Sequence, residues 1–283
     1  NRERYRLSKP YKDLTRCGEN MTETMIRAGT FIGVFLVMAL WEALSPRRQL
    51  SQSRKARWSV NLGLSFLNTL LVRITIGGIA YTTACYAIEQ NVGVFNWLAR
   101  PHWLAMVGSF LLLDFAIYAQ HVAVHKIPLL WRLHQVHHTD LDFDASTAIR
   151  FHPLEIFFSL IYKVICIVLI GADPVTVIAF EVILNASALF NHGNVYIPNG
   201  VDKIIRRFIV TPDMHRIHHS SMPDETDSNY GFSLPIWDRL CRTYRDQPRL
   251  GQLGMEIGIK PYRLPAKVGF IEVLSMPFRR LQA

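Results

Sequence analysis

Five apolar stretches, most of them about as long as a bilayer is thick, limit this chain more than any other feature. They are "MIRAGTFIGVFLVMALWEAL" (25–44), "LGLSFLNTLLVRITIGGIAYTTACYAI" (62–88), "WLAMVGSFLLLDFAIYAQHVAVH" (103–125), "LEIFFSLIYKVICIVLIG" (154–171) and "PVTVIAFEVILNASALF" (174–190). About 20 apolar residues span a hydrocarbon core as a helix. Helices satisfy their own backbone hydrogen bonds where lipid cannot. The expected fold is therefore all-α: a polytopic helical membrane protein with four to five membrane segments. Half of the 283 residues are apolar and only 19% are charged, too oily a mixture for an ordinary water-soluble domain. The first stretch is too long for a signal-peptide core and lacks a small-residue cleavage site, so it reads as a retained segment.

Charge supplies a topology. The loop "SPRRQLSQSRKAR" (45–57) is strongly basic and is placed in the cytoplasm by the positive-inside rule. The segments then alternate, putting 121–153 and everything from His192 onward on that same side. The basic tail (Arg2, Arg4, Arg6, Lys9, Lys12, Arg16) conflicts with a first helix that spans, because that helix would place it outside. The net charge of +9 fits cytoplasmic loops facing anionic lipid. No basic stretch is interleaved with aromatics, so a nucleic-acid groove is not expected. Cys17, Cys85, Cys166 and Cys241 are scattered without a CxxC, which suggests neither a disulfide framework nor a zinc ribbon. The chain divides into a polar N-terminal segment (1–24) and one integrated membrane domain (25–283), whose histidine-rich core is 105–246.

Eight of the eleven histidines fall in three clusters: "HVAVH" (His121, His125), "HQVHH" (His134, His137, His138) and "HRIHH" (His215, His218, His219). Residues three and four apart share a helix face, so each cluster presents imidazoles together. The topology gathers all three at one membrane face as a histidine-rich helical cap. Imidazole binds iron, copper, zinc and nickel. Eight exceed the four of one tetrahedral ion, so two metals at about four ligands each is the economical reading. His192 in "FNHGNV" is a ninth candidate and His152 in "RFHPLE" a further one. A lone histidine at a helix end is commonly an interfacial side chain, and His102, on the opposite face, reads that way.

Other metal grammars are missing. There is no HExxH for a zincin, no Glu-x-x-His of carboxylate di-iron bundles, and no GxSxG, P-loop or GxGxxG.

The order HxxxH, HxxHH, HxxHH after membrane helices resembles the fatty acid hydroxylase / sterol desaturase superfamily of integral-membrane di-iron oxygenases. "LLLDFAIYAQHVAVH", "LWRLHQVHHTD", "STAIRFHPLE", "LFNHGNV" and "TPDMHRIHHS", then "DSNYGFSLPIWDRLCRTYR", carry the likeness over roughly 105–246, particularly to bacterial members. The resemblance implies two iron ions, O2 as co-substrate, and attack on an unactivated C–H bond of a lipid, sterol-like or isoprenoid molecule. It implies ligand roles for His121, His125, His134, His137, His138, His192, His215, His218 and His219. Some relatives carry a ligand where this chain has Ala188. Asn191 and Asp114 are candidate supporting groups; Asp114 lies seven residues before His121 on the same helix face, placed to orient an imidazole. The resemblance further implies a bacterial inner-membrane enzyme with its histidines facing the cytoplasm, fed by ferredoxin or by cytochrome b5 and its reductase.

Chemistry agrees with iron, since zinc has no redox chemistry, although zinc can replace iron in a purified sample. Hydroxylation and desaturation share the first hydrogen abstraction, so the ligands do not separate them. Two other classes fit less well. A metal transporter needs polar residues through the midplane, whereas these segments read as largely apolar. A di-zinc hydrolase is a further alternative, which zinc found in a purified sample would not by itself support.

Overall fold

A computed structural model describes residues 21–76, 78–98 and 101–279. The basic tail at 1–20, including Cys17, lies outside the described residues. The described part is helical, with isolated bridge pairs and no strand. Helix α1 is Met21–Leu44, α2 Arg54–Ile76, α3 Ile79–Glu89, α4 Val94–Trp97, α5 His102–Lys126, α6 Pro128–His138, α7 Pro153–Ile170, α8 Pro174–Asn191, α9 Asn199–Ile205 and α10 Pro212–His218. Short helices and loops follow to residue 279. Four helices (α1, α5, α7 and α8) are long and apolar enough to cross a membrane, which makes this an integral membrane protein.

Local chemistry sets the ends of these helices. Pro128 closes α5 and opens α6 at a first-turn position, where its missing N–H costs nothing. Pro153 and Pro174 open α7 and α8 in the same way. The His152 ring accepts from Leu154 N at 3.2 Å, and Asp173 Oδ1 accepts from Thr176 N at 3.0 Å. Helix α7 ends at Gly171, whose φ of 73° is the left-handed C-cap that glycine adopts readily. Gly171 also packs on the α3–α4 turn. A Cβ on Gly93 (φ 102°) would stand 2.4 Å from the Gly171 backbone.

The run 62–88 corrects the expectation of one continuous segment. It divides into α2 and α3, with Gly78 at φ 72° capping the second. Helix α2 also begins earlier, at Arg54, because its first turns are polar and belong to the cap. The "SPRRQLSQSRKAR" loop is thus partly helix, and Arg57 is only 7% exposed.

The spanning helices are largely apolar but carry a buried ion cluster. Glu181 of α8 is buried and ion-paired with both Lys163 of α7 and Arg27 of α1. Lys163 and Glu181 each lie ten residues, about 15 Å of helix, from the cap end of their helices. That is near the middle of a hydrocarbon core about 30 Å thick. Mutual pairing is what makes charge tolerable at this depth.

The ends of α1, α5 and α8 and the starts of α2 and α7 meet at one face. There α6, α10 and the loops form the cap. Leu64, Val136, Val273 and Met276 form a small core beneath it, holding the C-terminal segment against α2 and α6.

Candidate metal centre

Four segments bring the histidines to one place. The last turns of α5 carry His121 and His125, α6 carries His134, His137 and His138, and α10 with its C-cap carries His215, His218 and His219. His192 caps the C-terminus of α8. Each local fold is set by a cap or a proline; for α10, Thr211 Oγ1 accepts from Met214 N at 3.4 Å and Pro212 opens the helix.

The nine rings form two groups: His121, His125, His134, His138 and His218, and separately His137, His192, His215 and His219. Within each group one nitrogen per ring lies within 4.8 Å of all the others. Donors on opposite sides of one ion at about 2.1 Å would be about 4.2 Å apart, so both groups are of metal-site size. The adjacent pairs are divided between the groups. His137 and His138 are turned 89° apart, and His218 and His219 are turned 78° apart.

Nitrogen accounting points the same way. Buried polar atoms are almost always partnered. Here Nε2 of His121, His125, His134 and His218, Nδ1 of His137, and both nitrogens of His138, His215 and His219 are buried without a hydrogen bond. The opposite nitrogen is anchored in several rings. Nδ1 of His121 meets Tyr230 O at 2.7 Å, Nδ1 of His192 meets Ala188 O at 2.8 Å and Nδ1 of His218 meets Ser228 O at 2.8 Å. A carbonyl only accepts, so each Nδ1 carries the proton and leaves Nε2 as the lone pair. His134 Nδ1 stands 2.6 Å from Glu155 Oε1, a carboxylate that orients the ring and makes it a stronger donor. These residues fit metal ions.

Burial favours the neutral form, the one that binds metal, in six of these imidazoles. It drives His137, His138, His215 and His219 well below the ordinary value, with neighbouring imidazoles adding to the effect. His192 and His218 are lowered to about 3, chiefly by burial. Both lie below the about 6.5 of an unfolded imidazole. Below that pH the unfolded chain takes up protons that the folded, metal-free chain refuses. Stability is thus full above about pH 6.5 and falls as the pH drops toward 3. At pH 5 the expected loss is about 2 kcal/mol per such imidazole. It is read as a lower unfolding midpoint of the chelator-treated protein at pH 5 than at pH 7.5; equal midpoints would contradict it.

A second layer braces the rings. Phe151 stacks on His137 at 4.4 Å and Phe143 on His192 at 5.3 Å. Arg57 of α2 reaches Asp140 at 2.6 Å and Asp144 at 2.6 Å, pinning the loop that follows His138. Burial alone would raise the Asp140 carboxyl, but the Arg57 guanidinium outweighs it and holds that carboxyl well below the usual carboxylate range.

Not every expected residue joins the groups. His152 is used as the N-cap of α7, and its Nε2 faces Leu274 O at 3.2 Å. Asp114 orients no imidazole; its carboxylate accepts from Trp237 Nε1 at 2.8 Å. Asn191 donates to Phe232 O at 2.9 Å, steadying a ring that lies 5.0 Å from His121. At position 188 the backbone carbonyl serves as the anchor for His192. His102 opens α5 at its far end, nineteen residues or about 28 Å of helix from His121. Glu155 went unrecognised in the sequence, although a lone carboxylate opening an otherwise apolar helix at the cap was its signal. Glu155→Gln is expected to weaken metal binding by about 10–100-fold, measured by competition with a chromophoric chelator; wild-type affinity would show that the carboxylate is dispensable.

Comparison with known proteins bears on this geometry. Residues 106–243 match the family model described as fatty acid hydroxylase. The chain is 26% identical over 255 residues to an ornithine lipid hydroxylase of Rhizobium tropici, covering 88% of this chain and 75% of that one. It is 31% identical over 222 residues to an alkylglycerol monooxygenase of Homo sapiens, covering 77% of this chain but 46% of the relative. A fatty acid hydroxylase of Lecanicillium sp is 28% identical over 215 residues, covering 65% of this chain and 55% of that one. The chain therefore spans about half the length of the latter two. No solved structure matches it.

Proposed function

The chain belongs to the fatty acid hydroxylase family through residues 106–243, and from that premise we propose a membrane di-iron monooxygenase that hydroxylates a polar lipid. The observation that carries this reading is the division of nine clustered histidines, eight of them buried, into a five and a four. His121, His125, His134, His138 and His218 would hold one iron, and His137, His192, His215 and His219 the other. Iron bound there would supply the oxidising power that a C–H bond demands and that zinc lacks.

The protein's own part is preorganisation. Carbonyl and carboxylate partners fix which nitrogen each anchored imidazole offers. Phe143 and Phe151 pack their rings on the four-histidine group. The whole assembly sits at the end of the spanning helices, within reach of a molecule lying in the bilayer. The relatives' names, an ornithine lipid hydroxylase and alkylglycerol monooxygenases, favour hydroxylation and a headgroup-bearing lipid. The basic loops support a reading in which the cap faces the cytoplasm of a bacterial inner membrane. Electrons would come from a separate carrier such as a ferredoxin, or cytochrome b5 with its reductase.

Metal analysis of the full chain, purified anaerobically and supplied with iron, is expected to give about two irons per chain. Lipid mass spectrometry of cells with and without the gene should show an O2-dependent gain of one oxygen. An iron-free protein and an unchanged lipid profile together would sink this reading.

A further inference from the structure

The surroundings of the two histidine groups differ. Half-buried Phe151 stacks on His137 of the four, and buried Phe143 packs on His192, His215 and His219. The five instead border a cleft of about 310 Å³ on the cap, lined by His125, His138, Trp131, Ser220, Thr226 and Asp227 among others. Trp131 lies 4.9 Å from the His125 ring, 5.5 Å from His138 and 6.2 Å from His134, and is itself half-buried. Tyr230 also touches this group, at 5.1 Å from His125, but is fully buried. Among the described residues Trp131 is thus the aromatic ring that both lines the cleft and contacts the imidazoles.

The flanks of the cleft are cationic in balance. Lys126 is 54% exposed and reaches Asp227, which lines the cleft, at 2.6 Å. Arg245 and Arg249 both pair with Asp224, next to the lining residue Pro223. Arg132 adjoins Trp131, and exposed Lys260 follows Ile259. These five cations outnumber the four nearby carboxylates Asp224, Glu225, Asp227 and Glu256. Such a rim attracts an acidic partner and speeds its encounter.

We propose that an acidic one-electron carrier protein docks over this cleft, and that Trp131 relays its electron to the five-histidine position. The inference rests on the di-iron reading. Hydroxylation converts RH, O2, two electrons and two protons into ROH and water. A one-electron carrier is oxidised once per encounter, so two encounters through the same face complete a turnover. The asymmetry of the walls makes the five-histidine side the entry and leaves the four-histidine side insulated.

The test uses the iron-loaded full chain in lipid nanodiscs, with a reduced acidic [2Fe–2S] ferredoxin as the carrier and dithionite as a small reductant. Stopped-flow absorbance follows reduction of the bound iron. In Trp131→Leu the ferredoxin-driven rate is expected to fall by an order of magnitude or more, with iron content and the dithionite rate unchanged. A wild-type ferredoxin rate in that variant would overturn the relay. If wild-type protein takes up no iron, or dithionite cannot reduce it, the di-iron reading fails instead. Ferredoxin binding to the metal-free chain is measured in parallel. The double variant R249E/K260E touches no histidine and should bind several-fold more weakly at low salt, the difference shrinking as salt is added. Unchanged affinity would overturn the docking face even if Trp131→Leu proved unable to hold iron.

Discussion

Replacing His219 with alanine is expected to lower the metal content of the purified chain from about two ions to about one and to abolish turnover. Outer partners of a metal site already contribute about 10–100-fold, and His219 belongs to the smaller group, where its loss leaves three rings. His138→Ala is the informative control. It removes one of five, so four rings remain and the metal should be better retained, while turnover still collapses because the donor set has changed. Metal analysis and product formation separate the two variants. The histidines lie in the cap, so both proteins should fractionate with membranes as wild type does. Equal metal content in His219→Ala and wild type would refute the division into a five and a four.

Arg57→Ala is expected to cost about 3–5 kcal/mol, the range for breaking a buried ion pair by removing one partner. Its guanidinium contacts Asp140 and Asp144 at 2.6 Å each, and both carboxylates are almost fully buried. Asn61 Nδ2 also reaches Asp140, at 3.0 Å, so the loss would leave a charged, half-satisfied network. Thermal unfolding in detergent should show a clearly lower midpoint. Amide exchange should quicken in 139–151, the loop that Arg57 ties to α2. A midpoint within error of wild type would mean that the network is relaxed by water.

The parts legible in the sequence share a physical cause. Spanning helices announce themselves because lipid demands an unbroken apolar run, and four of the five runs are such helices. The fifth misled because Gly78 breaks it without interrupting its hydropathy. The histidines were legible because HxxHH occurs twice and side chains at that spacing share a face. Their anchors were not: the carbonyls of Tyr230, Ala188 and Ser228 belong to residues of any identity and are chosen only by the fold. Glu155 and His134 lie 21 residues apart, and nothing local links them. In the sequence Arg57 is one charge among several in a basic loop, because its partners lie more than eighty residues away.

The buried ion cluster that joins α1, α7 and α8 bears on how the protein is made. Helix α1 is synthesised first among the four spanning helices, yet its Arg27 must wait for Glu181 on α8, the last of them. Until then the pair with Glu23, one turn earlier, can partly shield the guanidinium. A membrane helix carrying an unmet charge is poorly held by lipid alone. The final packing of α1, which lies against α8, is thus deferred until the α7–α8 hairpin is in place. The chain would enter the membrane in sequence order but settle there out of order, with its first helix among the last to come to rest.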